Sequence, residues 1–209
     1  MKRQLPRFLL VAASLALQPA LSGRAADVGP YFRLDGGASF VEGTGLEIDG
    51  LPGHLSLDTG FRVDGIFGYR LNRWLGAEFE GGFQDNSVSS LSLEGQTAHP
   101  GSDSHLYQIP LLVNVVFRYE NSTAFIPYVG AGAGGVLSRL KISGDDDQTA
   151  VFALQAKAGL IYKIMEEAWV DVGYKFLGTA KQGYNIGGSN LKTKEVYSHF
   201  LGASVIWNF

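Results

Sequence analysis

From residue 31 onward, apolar and polar side chains alternate with a period of two, and helical periodicity is nearly absent. Successive side chains of a strand point to opposite faces, so the pattern predicts strands that each carry one apolar face. Eight segments show it: 31–41, 61–71, 74–83, 106–117, 125–137, 152–164, 169–176 and 197–209. In the first, Phe32, Leu34, Ala38 and Phe40 alternate with Arg33, Asp35, Gly37 and Ser39. In the last, Leu201, Ala203, Val205, Trp207 and Phe209 alternate with Ser198, Gly202, Ser204 and Asn208. The lengths lie near the ~9–11 residues that a tilted strand needs to cross a bilayer.

The connections also alternate. Tight turns are predicted near 71–73, 119–123 and 165–167, and long polar loops over 42–60, 84–105, 138–150 and 177–195. Short and long connections therefore lie at opposite ends, the asymmetry of outer-membrane barrels with short periplasmic turns and long external loops. An even strand count puts both ends of the barrel on the short-turn side.

Volume decides which face looks outward. An eight-stranded barrel has an interior only just wide enough to be filled by side chains. The apolar face, rich in Phe, Tyr, Leu, Ile and Trp, does not fit inside. The other face, mostly Gly, Ser, Asn and Gln with scattered charges, does. Apolar residues are expected to face lipid and polar residues the lumen. In hydrocarbon an open sheet edge leaves backbone groups unpaired, so the eighth strand must close on the first. The expected fold is all-β: an eight-stranded antiparallel up-and-down transmembrane β-barrel. Pro110 interrupts the fourth strand and predicts a local bulge, because proline has no N–H to donate. Trp74, Trp169 and Trp207 fall at the short-turn end, where aromatic rings favour the membrane interface, although parity carried to the strand ends turns Trp74 and Trp169 inward.

Composition narrows the function classes. Charged residues are 18% of the 209 and cysteine is absent, which excludes a disulfide framework and a thiolate metal site. No run of about 18 apolar residues occurs beyond the N-terminus, so helical spans are not expected. Lys2, Arg3 and Arg7 precede the apolar stretch 8–17, and Gly23-Arg24-Ala25 offers small residues for cleavage before Ala26. Residues 1–25 are predicted to be a cleaved secretory signal peptide, and 26–209 the barrel domain. Loss of Lys2, Arg3, Arg7 and Arg24 takes the formal charge from −3 to −7, which predicts no nucleic-acid partner.

Several motifs resemble the small outer-membrane β-barrel superfamily of OmpA-type transmembrane domains, OmpX-like proteins and opacity proteins. They are Gly68-Tyr69-Arg70-Leu71, Tyr107-Gln108-Ile109-Pro110-Leu111 and Pro127-Tyr128-Val129-Gly130-Ala131-Gly132. The ending Ile206-Trp207-Asn208-Phe209 is similar to the signal read by the barrel-assembly machinery, with Gly202, Val205, Trp207 and Phe209 in its positions. Phe200 departs from it, standing where that signal has a polar residue. The resemblance implies an outer-membrane location, with lipid and the assembly machinery as partners. No peptidoglycan-binding domain is expected after Phe209.

The lumen parity gathers opposite charges: Arg33, Arg62, Arg70, Arg118, Lys157, Lys163 and Lys175 with Asp35, Asp64, Glu78, Glu80 and Asp171. Pairing is expected between neighbouring strands, among Arg62, Asp64, Glu78 and Glu80 and among Lys157, Asp171 and Lys175. A structural network that plugs the lumen is favoured over an ion path, since buried charges must be paired. The row Gly130, Gly132, Gly134 either leaves a small watery pocket or, as preferred, is filled from other strands. His54, His99, His105 and His199 make no nucleophile–base pair: Ser198 and His199 are adjacent and face opposite ways. Asp145-Asp146-Asp147 is read as a solvated loop rather than a cation site. No cofactor and no catalytic or metal residue is assigned. The expected function is a non-catalytic barrel serving membrane integrity or surface recognition through its loops, where binding concentrates. A small pore for ions or solutes is the alternative, and a lipid-modifying enzyme is disfavoured.

Overall fold

The structure, a computed structural model, describes residues 28–101, 103–165 and 167–209. The expected signal peptide, the start of the barrel domain at 26, and Glu166 of the third short turn lie outside them. Thirteen strands make up the described chain: β1 (Gly29–Val41), β2 (Thr44–Ile48), β3 (Leu51–Leu57), β4 (Gly60–Arg70), β5 (Leu75–Leu93), β6 (Gln96–Ala98), β7 (His105–Arg118), β8 (Phe125–Ile142), β9 (Asp145–Lys163), β10 (Ala168–Thr179), β11 (Gly183–Ile186), β12 (Ser189–Thr193) and β13 (Val196–Asn208).

Eight of them form a closed antiparallel ring in the order β1, β4, β5, β7, β8, β9, β10, β13. The ring closes where β13 pairs with β1, from Tyr31 opposite Asn208 to Val41 opposite Ser198. At this seam Gly37 faces Gly202, and a side chain at Gly37 would stand 2.3 Å from the Leu201 carbonyl oxygen, so the two strands approach through bare backbone. Phe32 stacks on Trp207 across the outer side of the seam, with ring centroids 6.0 Å apart.

The outward face of the ring is apolar, as the volume argument requires: Phe67, Phe79, Val113, Val129, Leu154 and Val172 are all exposed. The inward face holds Arg33, Asp35, Arg62, Asp64, Glu80 and Lys175, all buried. It is not only polar, however. Tyr31, Val116, Ile126, Tyr128, Ile161, Trp169 and Ile206 form an apolar cluster inside the short-turn end, and Leu112, Val136, Ala153 and Leu177 form a second. Trp169 points inward at 4% exposure, whereas Trp74 and Trp207 are exposed. Its place is therefore in the inner cluster and not in an interfacial belt.

Pro110 causes no bulge. Leu111 faces Gly81 and Gln108 faces Gln84 in one register, and Pro110 faces Val136 in an unbroken ladder with β8. Only the pairing of Pro110 and Ile109 with β5 is missing, which places the absent donor on that side of the strand.

Much of each long connection is strand rather than loop. β5 runs for 19 residues, ten beyond the expected end at Phe83, and β8 and β9 continue together until Ile142 faces Asp145. Beyond the ring, β11, β12, β2, β3 and the far half of β5 form an antiparallel sheet. Four two-residue turns make its hairpins and the β8–β9 tip possible: Asp49-Gly50, Glu94-Gly95, Ser143-Gly144 and Gly187-Gly188. All eight of these residues have positive φ, the mirror-image turn geometry that matches strand twist.

Parity is kept within this extension, but the polarity of the two faces is exchanged. On β8, Val129, Ala131 and Ala133 look outward from the ring, yet farther along Arg139 and Lys141 look outward and Leu140 is buried. The buried Val41, Leu46, Leu55, Val88, Leu106, Leu140, Tyr184, Ile186, Leu191 and Val196 make one apolar core inside the extension. A strand face turns apolar toward whichever neighbour excludes water: hydrocarbon in the ring, the protein interior above it.

Candidate functional site

The centre of the lumen is a balanced charge lattice. Lys175 on β10 places its Nζ 2.7 Å from a carboxylate oxygen of each of Asp35, Asp64 and Glu80. Arg62 on β4 donates to Asp64 at 2.9 Å, to Glu80 at 2.9 Å and to Gln155 at 3.2 Å. Glu80 on β5 also accepts from Asn114 and Gln155, each at 2.9 Å, and lies 3.5 Å from Lys157. Glu78 is held by Lys157, by the Tyr31 hydroxyl and by Arg118 at 3.6 Å. On the other side, Arg33 bridges Asp35 at 2.5 Å and Asp171 at 2.6 Å, and Ser204 donates to Asp171 at 2.8 Å.

Five cations, Arg33, Arg62, Arg118, Lys157 and Lys175, thus meet five carboxylates, Asp35, Asp64, Asp171, Glu78 and Glu80, in this interior. Each side chain has at least two partners, the condition under which buried charge is tolerated, although Arg118 Nη1 and Asp171 Oδ1 have no hydrogen-bond partner among the described residues. The expected pairing of Lys157, Asp171 and Lys175 along neighbouring strands is not what forms. Lys157 and Lys175 reach across the lumen to β5, β4 and β1, and Asp171 pairs with Arg33. In so narrow a ring, long side chains from opposite walls meet end to end. Phe200 also turns inward, its ring 5.9 Å from Arg62 and 5.3 Å from Lys175, where cation–π contact replaces the polar residue of the family ending. Arg70 stacks over Trp169 at 5.1 Å and Lys163 over the same ring at 5.0 Å, at the short-turn end.

The glycine row is filled from beside it. A side chain at Gly132 would meet the Asn114 amide oxygen at 2.0 Å, and one at Gly130 the Lys157 stem at 3.2 Å. Toward the extension a neutral layer follows, with Gln84 donating to Gln108 and Asn86 at 3.1 Å. Tyr184 on β11 then donates to Ser138 at 2.8 Å, and burial pushes its phenol up to about 12.

The residues tested for chemistry lie apart. Ser198 is buried in the lumen, while His199 on the outer rim contacts the Tyr174 hydroxyl at 2.6 Å and Glu42 at 2.8 Å. His105 contacts Asp85 at 2.9 Å, and His99 contacts the Ser89 carbonyl at 3.0 Å. Asp145, Asp146 and Asp147 belong to β9 rather than to a loop. Arg139 donates to Asp146 at 2.8 Å and holds its carboxyl below the ordinary value, while Asp147 accepts from the Asn185 backbone at 2.7 Å. The assembly-signal positions line the seam: Val205 and Trp207 look outward opposite Leu34 and Phe32, Gly202 faces Gly37, and the Phe209 N–H donates to Pro30 at 3.1 Å.

The family model of the outer membrane protein beta-barrel domain matches residues 8–209. The outer membrane protein PagN of Salmonella typhimurium is 27% identical over 143 residues, which cover 63% of this chain and 52% of PagN, so the match spans about half of that relative. The crystal structure of OprG from Pseudomonas aeruginosa superposes with a TM-score of 0.63 at 16% identity, covering 88% of this chain and 99% of OprG. Neisserial surface protein A superposes at 0.56 with 20% identity, covering 87% and 97%. These likenesses establish a shared barrel fold.

Proposed function

From the premise that this chain belongs to the outer membrane protein β-barrel domain family and lies in the outer membrane, we propose that it is a non-catalytic, non-conducting barrel that presents its folded extension for recognition at the cell surface. The observation that carries this reading is the filled lumen. Arg62, Asp64, Glu80 and Lys175 are each at most 1% exposed and lock opposite walls together, with apolar clusters on either side. Moving an ion past them requires breaking several charge-assisted bonds at once. The extension supports the second half of the reading: its own apolar core and hairpin turns make it a preformed surface rather than a set of floppy loops.

Two measurements test the two halves. Purified protein in a planar bilayer is expected to give no lasting single-channel steps in concentrated KCl; steps that scale with added protein would restore the pore reading. Bacteria displaying a variant with 181–194 replaced by a short Gly-Ser turn are expected to attach to neighbouring cell surfaces markedly less than those with the native chain. Equal attachment by the two strains would remove the recognition reading.

A further inference from the structure

The sheet of β11, β12, β2 and β3 buries one face in the core of the extension, through Leu46, Leu55, Tyr184 and Leu191. Its other face borders a cavity of about 410 Å3 lined by Gly45, Glu47, Pro52, Lys181, Lys192 and Lys194, among others. The backbone fixes where the three lysines emerge. Lys192 faces Glu47 in the β12–β2 register. The Lys194 N–H donates to the Gly45 carbonyl at 2.9 Å, and the Thr193 N–H to the carbonyl of Gln182, next to Lys181, at 2.8 Å. The Lys194 stem lies flat over Gly45: a side chain there would stand 3.0–3.4 Å from its methylene carbons. Glycine leaves the room that this stem occupies.

The three ammonium groups make no ion pair among the described residues, although Glu47 stands opposite Lys192 and shares their cavity. The other two basic side chains of the extension are tied up, Arg139 to Asp146 at 2.8 Å and Lys141 to Asp103 at 2.6 Å. Like charges gathered around one concavity repel in the empty state, and an anionic ligand relieves that repulsion. The cluster is all the more distinct on a chain whose formal charge is negative. Ammonium groups are compact, multi-donor cations suited to tetrahedral oxyanions. Three of them, on two connections and one strand, call for several anionic groups on one ligand.

We propose that this cavity binds a polyanionic glycan through sulfate or phosphate groups, an assignment that gives the ligand class for the recognition surface above and rests on that reading. The test uses the full-length protein in detergent micelles, fluorescent dextran sulfate as probe and uncharged dextran as control. Dextran sulfate is expected to bind, more weakly as NaCl rises, and uncharged dextran is not. The variant Lys181→Gln/Lys192→Gln/Lys194→Gln is expected to lose at least ~10-fold in affinity, the order that several lost charge-assisted contacts produce. Arg139→Gln/Lys141→Gln, which removes the paired cations of the extension, is expected to stay within ~2-fold. Competition by inositol hexakisphosphate separates the sources: displacement supports a phosphate-bearing ligand, and its absence a sulfated one. No binding by the native protein, or equal binding by the triple-lysine variant, overturns the assignment. If attachment still depends on 181–194 while neither polyanion binds, the glycan assignment fails alone. If attachment is independent of 181–194, the recognition reading fails in its own assay.

Discussion

Replacing Glu80 by alanine is expected to destabilise the folded barrel by ~3–5 kcal/mol, the cost of leaving buried partners uncompensated. Glu80 is 0% exposed and accepts from Arg62, Lys175, Asn114 and Gln155 at 2.7–2.9 Å, with Lys157 at 3.5 Å. Its loss leaves five cations facing four carboxylates in a compartment from which water is excluded. Glu80→Gln keeps the volume and removes the charge, so most of the loss should remain in that variant. Urea unfolding in micelles, followed by tryptophan fluorescence, measures both. A loss below ~1 kcal/mol in both would mean that the lattice is hydrated and cheaply rearranged, and the filled-lumen argument would fail with it.

The second large effect lies on the other face. Val113 stands on β7 midway between Tyr107 and Phe117, is 60% exposed, and faces Phe79 and Ala133 on the adjoining strands. In water such a position tolerates arginine within a few tenths of a kcal/mol. In the middle of a bilayer the same change costs ~2–4 kcal/mol, falling toward the interfaces. Val113→Arg is therefore expected to lower stability in phospholipid vesicles by that amount, whereas a basic residue already serves at Arg139 on the outward face of β8. Unchanged stability of Val113→Arg in vesicles would contradict an outward face immersed in hydrocarbon.

The ring was legible in the sequence because one rule holds along it: apolar residues outside, where lipid is the solvent. That rule located all eight strands, their order and the seam. It failed above residue 83 because the solvent changes there. Ser87, Ser89 and Arg139 look outward in the extension while Val88 and Leu140 look inward, so apolar density drops and reads as loop, although alternation continues. The missing clue was local and physical. Asp49-Gly50, Glu94-Gly95, Ser143-Gly144 and Gly187-Gly188 are two-residue steps that tolerate positive φ, and each joins two strands. Parity also put the ten charged side chains of the lattice on the inward face. Of the lattice's pairings, Arg62 with Asp64 and Glu80 follows from neighbouring strands, whereas Lys175 meets Asp35 and Asp64 only once the curvature of the ring brings distant walls within one side-chain length. The unpaired lysines of the extension were missed for the same reason as its strands.

The seam between β1 and β13 bears on how the chain reaches this state. Seven of the eight ladders in the ring join strands consecutive around the barrel and near in sequence, whereas Tyr31 meets Asn208 only across nearly the whole described chain. Contacts of such long range carry the largest closure entropy and form slowly. A curled intermediate with its hairpins complete would still expose two bare edges, and those edges would pair with any other strand they met. Zippering of opposite ends at the Gly37–Gly202 crossing is thus the contact expected to form last.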